Sequence, residues 1–298
     1  MKFIPLSCCL LGMMAQGPQA LAASEVAQAL LARHAELREQ LADNPFGRPL
    51  YQQSSEEGGQ LKGDIYAQLE QPFAVAAPAL QSMAQWCQVL ILHLNVKGCW
   101  PSPAGGVATL HVDIGRKYEQ PLANAYPFAF TYRANTNGSD ALQVRLSAAD
   151  GPLGTRDYAI AVELVALDAQ HSFLHLTYAY RYGMAAHAAM GGYLATLGRD
   201  KVGFSVVGTD SAGQPLYQGS MRGVVERNTM RYFLAVEAYL GALSVSATEQ
   251  QEQRLNAWHT GVERYPRQLH ELERDEYLAM KRKEIRRQQK AQPVRVSE

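Results

Sequence analysis

Strand-like alternation of apolar and polar side chains dominates the middle of this chain. Between residues 108 and 183, apolar positions recur at every second residue in short runs, which is typical of half-buried β-strands. These runs are ATLHVDIGR (108–116), FAFTYR (128–133), ALQVRLS (141–147), DYAIAVELVAL (157–167) and SFLHLTYAYRYG (172–183). With LKGDIYAQLE (61–70), they predict about six strands.

Short turns link these runs. Asn137-Gly138 is the strongest two-residue hairpin signal, and Asp150-Gly151 marks the next reversal. Hairpin-length links predict an antiparallel sheet. One of its faces is apolar and carries Leu110, Phe128, Phe130, Val144, Ile160, Val162, Leu176, Tyr178 and Tyr180. The other face carries His111, Arg133, Arg145, Glu163, His175 and Arg181, and we expect it to be solvated.

A long helix follows the strands at GVVERNTMRYFLAVEAYLGAL (223–243). Helical spacing gathers Tyr232, Phe233, Val236, Tyr239, Leu240 and Leu243 on one face. Arg227 and Arg231 lie on the opposite face. Because a sheet with one apolar face needs a cover, we expect this helix to lie across it.

Other helices are predicted at 24–43 and within 72–87, and a short helix with loops at 184–203. Polar SSEEGG (54–59) is typical of a loop, so the main domain is expected to start near residue 60.

The order of these elements resembles the START-like (helix-grip, SRPBCC) superfamily over about residues 60–245. The segments that carry the resemblance are LKGDIYAQLEQPFAVAAPAL at the start and the helix GVVERNTMRYFLAVEAYL at the end. The implied fold class is α+β, with a curved antiparallel sheet gripping a long C-terminal helix. An N-terminal helix with its loop (23–59), the 184–203 insertion and a charged helical tail (246–298) are additions to that pattern.

The resemblance implies a cavity between sheet and helix that holds a hydrophobic small molecule or a lipid. The candidate ligand-binding residues are Phe128, Phe130, Tyr178, Tyr180, Tyr232, Phe233, Val236 and Leu240. The alternative is that the same side chains fill a solid core, because both arrangements use the same residue types. The tyrosine hydroxyls would need hydrogen-bond partners in either case.

The N-terminal residues 1–22 have the pattern of a signal peptide. Lys2 precedes the apolar stretch FIPLSCCLLGMMA (3–15), and Ala20-Leu21-Ala22 fits a cleavage site. We expect cleavage after Ala22 and a periplasmic protein, with an uncleaved membrane anchor as the alternative. In an oxidising compartment, Cys87 and Cys99 are expected to form a disulfide rather than remain as two free thiols.

Charge and motifs narrow the possible activities. Lys and Arg total 28 and Asp and Glu total 28, so no net charge attracts the chain to nucleic acid. GxSxG, HExxH, P-loop and dinucleotide motifs are absent from the sequence, and we expect neither metal nor cofactor. His171, His175 and Glu163 could form a metal or acid–base cluster, although a solvated sheet face explains them as well.

Two groups of basic residues allow further roles. Arg227 and Arg231 could meet an anionic head group at the mouth of the cavity, or pair with Glu226 or solvent. The segment 276–295 carries seven basic residues, namely Lys281, Arg282, Lys283, Arg286, Arg287, Lys290 and Arg295. It could touch an anionic membrane surface, dock a protein partner, or be a solvated helix end.

Three functions follow from the sequence. The leading one is an exported, non-catalytic START-like protein that binds a hydrophobic molecule or lipid. The second is a cyclase- or hydrolase-like enzyme that uses His or Glu groups inside the cavity. The third is an envelope interaction protein whose packed core displays the tail 247–298, so that deleting the tail would leave the core folded.

Overall fold

An open antiparallel sheet forms the centre of the protein. The computed structural model describes residues 24–102, 106–137, 140–196 and 200–295. The strands are β1 (Leu50–Glu57), β2 (Gln60–Leu69), β3 (Val96–Pro101), β4 (Thr109–Ile114), β5 (Tyr126–Asn137), β6 (Ala141–Asp150), β7 (Arg156–Ala166) and β8 (Ser172–Arg181). The sheet is 8-stranded, in the order β1-β2-β8-β7-β6-β5-β4-β3.

Helices cover both faces of this sheet. They are α1 (Glu25–Glu36), α2 (Arg38–Ala42), α3 (Phe73–Leu80), α4 (Met83–Leu90), α5 (Met184–Ala195), α6 (Ser220–Gly241), α7 (Gln250–Val262), α8 (Pro266–Leu269) and α9 (Arg274–Arg295). A small hairpin, β9 (Val206–Thr209) and β10 (Pro215–Tyr217), precedes α6. The predicted α+β class, with a curved antiparallel sheet and a long helix, is confirmed.

The sequence pattern does not predict strands β1 and β3, which form the two edges of the sheet. SSEEGG was expected to be a loop, but residues 54–57 end strand β1, which pairs with β2 from Leu50↔Ala67 to Glu57↔Gln60. The outer part of β1 is exposed, so its polar composition hides the strand. Gly58 and Gly59 then turn the chain with φ angles of 54° and 76°. The sheet therefore begins at Leu50.

Helix α6 lies in the middle of the protein rather than on its surface. It packs on the sheet on one side and against α7 on the other, and it is buried around most of its circumference. Its approach to β2 is close, since a Cβ placed on Gly63 would overlap Oγ1 of Thr229 and lie 3.2 Å from its Cβ. Arg227 and Arg231, expected on a polar face, are only 2% and 1% exposed.

The C-terminal tail is part of the packed fold. Tyr277 and Lys281 of α9 are fully buried, and Tyr277 donates its hydroxyl to Leu92 O at 3.0 Å. The ammonium of Lys281 lies 2.7 Å from Glu284, whose other oxygen lies 3.0 Å from the buried ammonium of Lys97. The prediction of a solvated helix end is wrong for this part of α9, because its face between Tyr277 and Glu284 packs onto β3 and α7.

A disulfide ties the helix layer to the edge of the sheet. Cys87 of α4 and Cys99 of β3 are bonded with a Cα–Cα separation of 5.1 Å, which lies in the usual range for disulfides. The predicted pairing is thus confirmed. The predicted signal peptide lies outside the described residues. Among the helices of the described ranges, none is long and apolar enough to cross a bilayer.

Candidate functional site

A cavity in three adjoining compartments runs along the N-terminal half of α6. The outer compartment has a volume of about 730 Å³, and two inner chambers have volumes of about 160 and 280 Å³. Asn228 of α6 lines all three, and Tyr158 and Tyr178 line both inner chambers. The inner chambers lie between α6 and the inner face of strands β5, β7 and β8.

Aromatic rings form much of the wall of the smaller inner chamber, and three tyrosines line the larger one. Phe128 and Phe130 stack with ring centroids 5.3 Å apart, and Tyr158 meets Phe128 edge-on at 5.0 Å. Across the chamber, Tyr178 of β8 lies 5.2 Å from Tyr232 of α6. Strand alternation puts these sheet residues on one face, which explains why they converge. The sheet side of the smaller chamber is therefore aromatic.

Two buried hydroxyls give this aromatic wall a polar element. Within the described residues, Tyr178 and Tyr232 make no hydrogen bond through their hydroxyls, whereas Tyr158 donates to Thr155 Oγ1 at 2.9 Å. Burial raises the pKa of both Tyr178 and Tyr232, so both hydroxyls keep their protons at neutral pH. Since buried tyrosine hydroxyls normally find a partner, these two are available to a ligand or to water.

His93 is a polar group of the chamber that the sequence did not single out. It follows α4, and its ring stacks on Tyr232 with centroids 4.7 Å apart. Its Nδ1 accepts a hydrogen bond from the backbone N–H of Asn95 at 3.1 Å, which places the proton on Nε2. That Nε2 is buried and has no partner in the described chain. Burial, assisted by the charge of Arg231, lowers the pKa of His93 far below its usual value, so His93 is a neutral donor.

The predicted ligand-binding residues fall into two groups. Phe128, Phe130, Tyr178, Tyr180 and Tyr232 line the inner chambers. Their contact with a ligand stays a prediction.

The other three predicted residues are Phe233, Val236 and Leu240, which lie in the packed core. None of them lines a compartment of this cavity. Helix periodicity placed all of them on one face with Tyr232, but it could not show that the cavity ends where α7 closes over α6.

The outer compartment is basic. Its charged lining residues in the described chain are Arg116, Lys117, Lys201, Arg227, Arg231 and Glu271. Arg227 and Arg231 come from α6, whereas Lys117 and Lys201 come from loops distant in the sequence. Only the two arginines were singled out beforehand, because no sequence pattern connects the loops to the helix.

A second polar cluster lies on the outer face of the sheet. His175 is held between Glu163, 3.0 Å from Nδ1, and Asp64, 2.9 Å from Nε2, and its ring stacks on Tyr66. Helix α1 flanks this cluster, which explains why a face expected to be solvated is partly buried.

The predicted grouping of three residues on this face is only partly present. His175 and Glu163 meet, but His171 lies in the turn before β8 and pairs with Asp168 at 2.9 Å. The described residues contain no cluster of three or more His, Cys, Asp or Glu side chains suited to a metal ion.

Comparisons with known proteins give loose structural likenesses. Neither a protein-family model nor a curated protein sequence matches the chain. Among solved structures, it is similar to a START superfamily protein from Mycobacterium smegmatis, with 12% identity, a TM-score of 0.30 and coverage of 46% of this chain and 92% of that one.

Two further similar structures belong to proteins that are named for different activities. The human StAR-related lipid transfer protein 5 shows 9% identity, a TM-score of 0.30 and coverage of 57% and 89% of the two chains. The Zhui aromatase/cyclase from Streptomyces shows 11% identity, a TM-score of 0.32 and coverage of 69% and 94%. Such loose likenesses show neither the ligand of this protein nor a reaction.

Proposed function

We propose that this protein is exported and binds a hydrophobic small molecule or lipid in the cavity between α6 and the sheet, without catalysing a reaction. The observation that carries this proposal is the pair of inner chambers, lined by the hydroxyls of Tyr178 and Tyr232, which have no hydrogen-bond partner among the described residues. Ligand sites are mostly apolar with a few placed polar groups, which is the composition seen here.

Size and chemistry support a binding role. The outer compartment, at about 730 Å³, lies within the common range of ligand sites of roughly 300–1,000 Å³. No carboxylate of the described chain lines the two inner chambers, and His93 is held neutral. Hydrogen-bond donors in the lining include the phenol hydroxyls of Tyr178, Tyr180 and Tyr232, the imidazole N–H of His93 and the side-chain amide of Asn228. Such groups orient a molecule with oxygen acceptors.

The proposal that the protein is exported rests on its N-terminal sequence and on its disulfide. The stretch 1–22 has the features of a cleaved signal peptide, and the Cys87–Cys99 bond is of the kind favoured in an oxidising compartment. A carrier in the periplasm would meet hydrophobic cargo that must cross an aqueous space. We therefore place the protein in the periplasm.

Copurified cargo is the direct test. The protein would be purified from its native periplasm and weighed by native mass spectrometry before and after organic extraction. We expect an extra mass that leaves on extraction. Val224→Trp, which fills the cavity beside α6, should abolish that mass, while Val207→Trp on the exposed hairpin should retain it. Repeated bare masses in the wild-type protein would contradict the proposal.

A catalytic alternative rests on His93 alone, the histidine that faces the chamber. Its lowered pKa makes it a weak base, which favours binding over proton transfer. Extracted ligand can be incubated with wild-type protein and with His93→Gln. A change in ligand mass with the wild type only would favour the enzyme.

An interaction role through 276–295 remains a prediction for its exposed positions. Arg286 and Lys290 are exposed, whereas Lys281 is buried and Arg282 pairs with Glu252 at 2.7 Å. Because α9 belongs to the packed core, deleting 247–298 should unfold the protein instead of releasing a free core. Tail deletion therefore does not separate the two roles, and exposed-charge variants are the better test.

A further inference from the structure

The side chains that line the outer compartment are exposed at its rim and buried at its floor. Arg116 and Tyr118 are exposed at the rim, where the arginine donates to the tyrosine hydroxyl at 2.8 Å. Lys117 and Lys201 have side chains 26% exposed. Arg227 and Arg231 form the floor, and Asn228 between them lines the aromatic chambers too. A molecule entering here meets cations first and aromatic rings behind them.

One carboxylate contacts three of these cations. Glu271 pairs with Lys117, lies 2.9 Å from Arg231 Nη2 and lies 3.6 Å from Lys201 Nζ. Two of the cations also contact neutral groups: Lys201 donates to His270 O at 2.6 Å, and Arg231 to Leu269 O at 3.2 Å. Carbonyl oxygens satisfy donors but do not cancel charge. Five cations and one carboxylate line the compartment, an excess of four positive charges among the described lining residues; the cations are Arg116, Lys117, Lys201, Arg227 and Arg231.

This excess is costly in a partly buried space. Burial, followed by the charge of Arg231, lowers the pKa of Lys117 to about 8. Burial alone would raise the pKa of Glu271, but Arg231 and Lys117 outweigh it and lower that pKa. Like charges gathered in a partly buried space repel one another, and an added anion would relieve the repulsion. Guanidinium groups also match the oxygens of phosphate and carboxylate groups.

We infer that the ligand is amphipathic and anionic: an oxyanion, phosphate or carboxylate, sits among Lys117, Lys201, Arg227 and Arg231, while its apolar part occupies the aromatic chambers. This inference rests on the proposed function, since it assigns the two ends of one molecule to adjoining compartments. Asn228 marks the junction, because it lines the basic and aromatic compartments alike.

Three probes separate the parts of this inference. Isothermal titration calorimetry would measure dodecyl phosphate below its micelle-forming concentration, 1-dodecanol and inorganic phosphate, each against the full protein stripped of cargo. We expect dodecyl phosphate to bind at least about tenfold tighter than dodecanol, since a charge-assisted hydrogen bond contributes that much. Inorganic phosphate should bind far more weakly, because it leaves the aromatic chambers empty.

Variants locate the anion. Lys117→Gln with Lys201→Gln removes two partly exposed cations and should remove most of the preference for dodecyl phosphate, leaving dodecanol affinity unchanged. Lys283→Gln, an exposed lysine outside the cavity, is the matched control and should change neither affinity. Circular dichroism would verify that each variant is folded.

Each outcome decides the inference. Equal binding of dodecyl phosphate and dodecanol would overturn the anionic end and leave the proposed function standing. Binding of inorganic phosphate alone would overturn the amphipathic ligand and the proposed function, and would assign the basic compartment to a free anion. Binding of none of the three would overturn both. A preference for dodecyl phosphate that survives in the double variant would overturn the assigned location.

Discussion

Replacing Glu284 by glutamine tests whether the C-terminal helix is structurally part of the protein. The carboxylate of Glu284, 4% exposed, lies between the ammonium groups of Lys97 and Lys281, both fully buried. These residues come from β3 and α9, so the three charges join the tail to the sheet edge. Glutamine has nearly the same shape but no charge, and it would leave two buried cations without an anion.

The expected cost follows from the contacts that remain. Removing one partner of a buried ion pair costs about 3–5 kcal/mol. Here Lys97 keeps a bond to Leu94 O at 2.9 Å and Lys281 keeps one to Val96 O at 2.7 Å. Since these carbonyls and the glutamine oxygen still accept, we expect the lower end, about 3 kcal/mol. That is a large part of the stability of an ordinary domain.

Urea unfolding followed by circular dichroism measures this loss at pH 7. Glu276→Gln, an exposed position of the same helix, should cost at most about 1 kcal/mol. Adding Lys97→Met to Glu284→Gln should recover part of the loss, because it removes one uncompensated cation. If Glu284→Gln loses no more unfolding free energy than Glu276→Gln, the buried network is refuted and the tail must be solvated.

The pH dependence gives an independent check. Burial lowers the pKa of Lys281 to about 8, below its ordinary 10.5, although Glu284 partly raises it. A lysine with a lowered folded-state pKa binds protons more weakly when folded, so stability rises with pH from about 8 towards 10.5. Without Glu284 this effect should grow. The stability deficit of Glu284→Gln should therefore shrink between pH 7 and pH 10.

Three more outcomes are expected in urea unfolding. Replacing Cys87 and Cys99 by alanine should lower the free energy of unfolding by about 2–3 kcal/mol, with no effect of reductant on the variant; an unchanged midpoint would contradict a structural disulfide. Gly63→Ala should cost about 1–3 kcal/mol because the new methyl group overlaps Thr229, and adding Thr229→Ala should relieve part of that cost. Strictly additive losses of stability in the double variant would show that the two residues do not touch. Burial lowers the pKa of His175, but its two carboxylate partners outweigh burial and raise that pKa above 6.5. The stability that protonated His175 gives the fold is therefore complete below pH 6.5 and is lost as the pH rises through the raised pKa. His175→Gln should flatten the stability profile over that window, and a profile identical to wild type would disprove the coupling.

The sequence predicted those parts of the fold whose signal is local. The alternation of apolar and polar residues in the strands from Thr109 to Arg181 indicates that one face of the sheet packs against an apolar layer. The short hairpin turns between these strands then favour an antiparallel order. The edge strand β1 escaped because an exposed strand can be polar on both sides. Half of the candidate site followed from the same alternation, since Phe128, Phe130, Tyr178 and Tyr180 share one face.

The remainder depended on contacts between distant residues. Arg227 and Arg231 look like the polar face of a surface helix, and only the packing of α7 and α8 over α6 shows that they form the floor of a compartment. His93 joins the chamber because the chain after α4 passes beside Tyr232. No periodicity encodes either meeting, because each joins residues far apart in the chain.

The sequence by itself therefore determined the sheet, the long helix, the disulfide pair and the apolar lining, because each depends on spacing between near neighbours or on composition. Tertiary structure decided where the cavity ends, which cations enter it and whether the tail is free. Those properties depend on which side chains exclude water together, and burial is shared among segments that the chain order keeps apart. The charge of α6 is the clearest case: its arginines are in the sequence, but their placement at the cavity floor is in the fold.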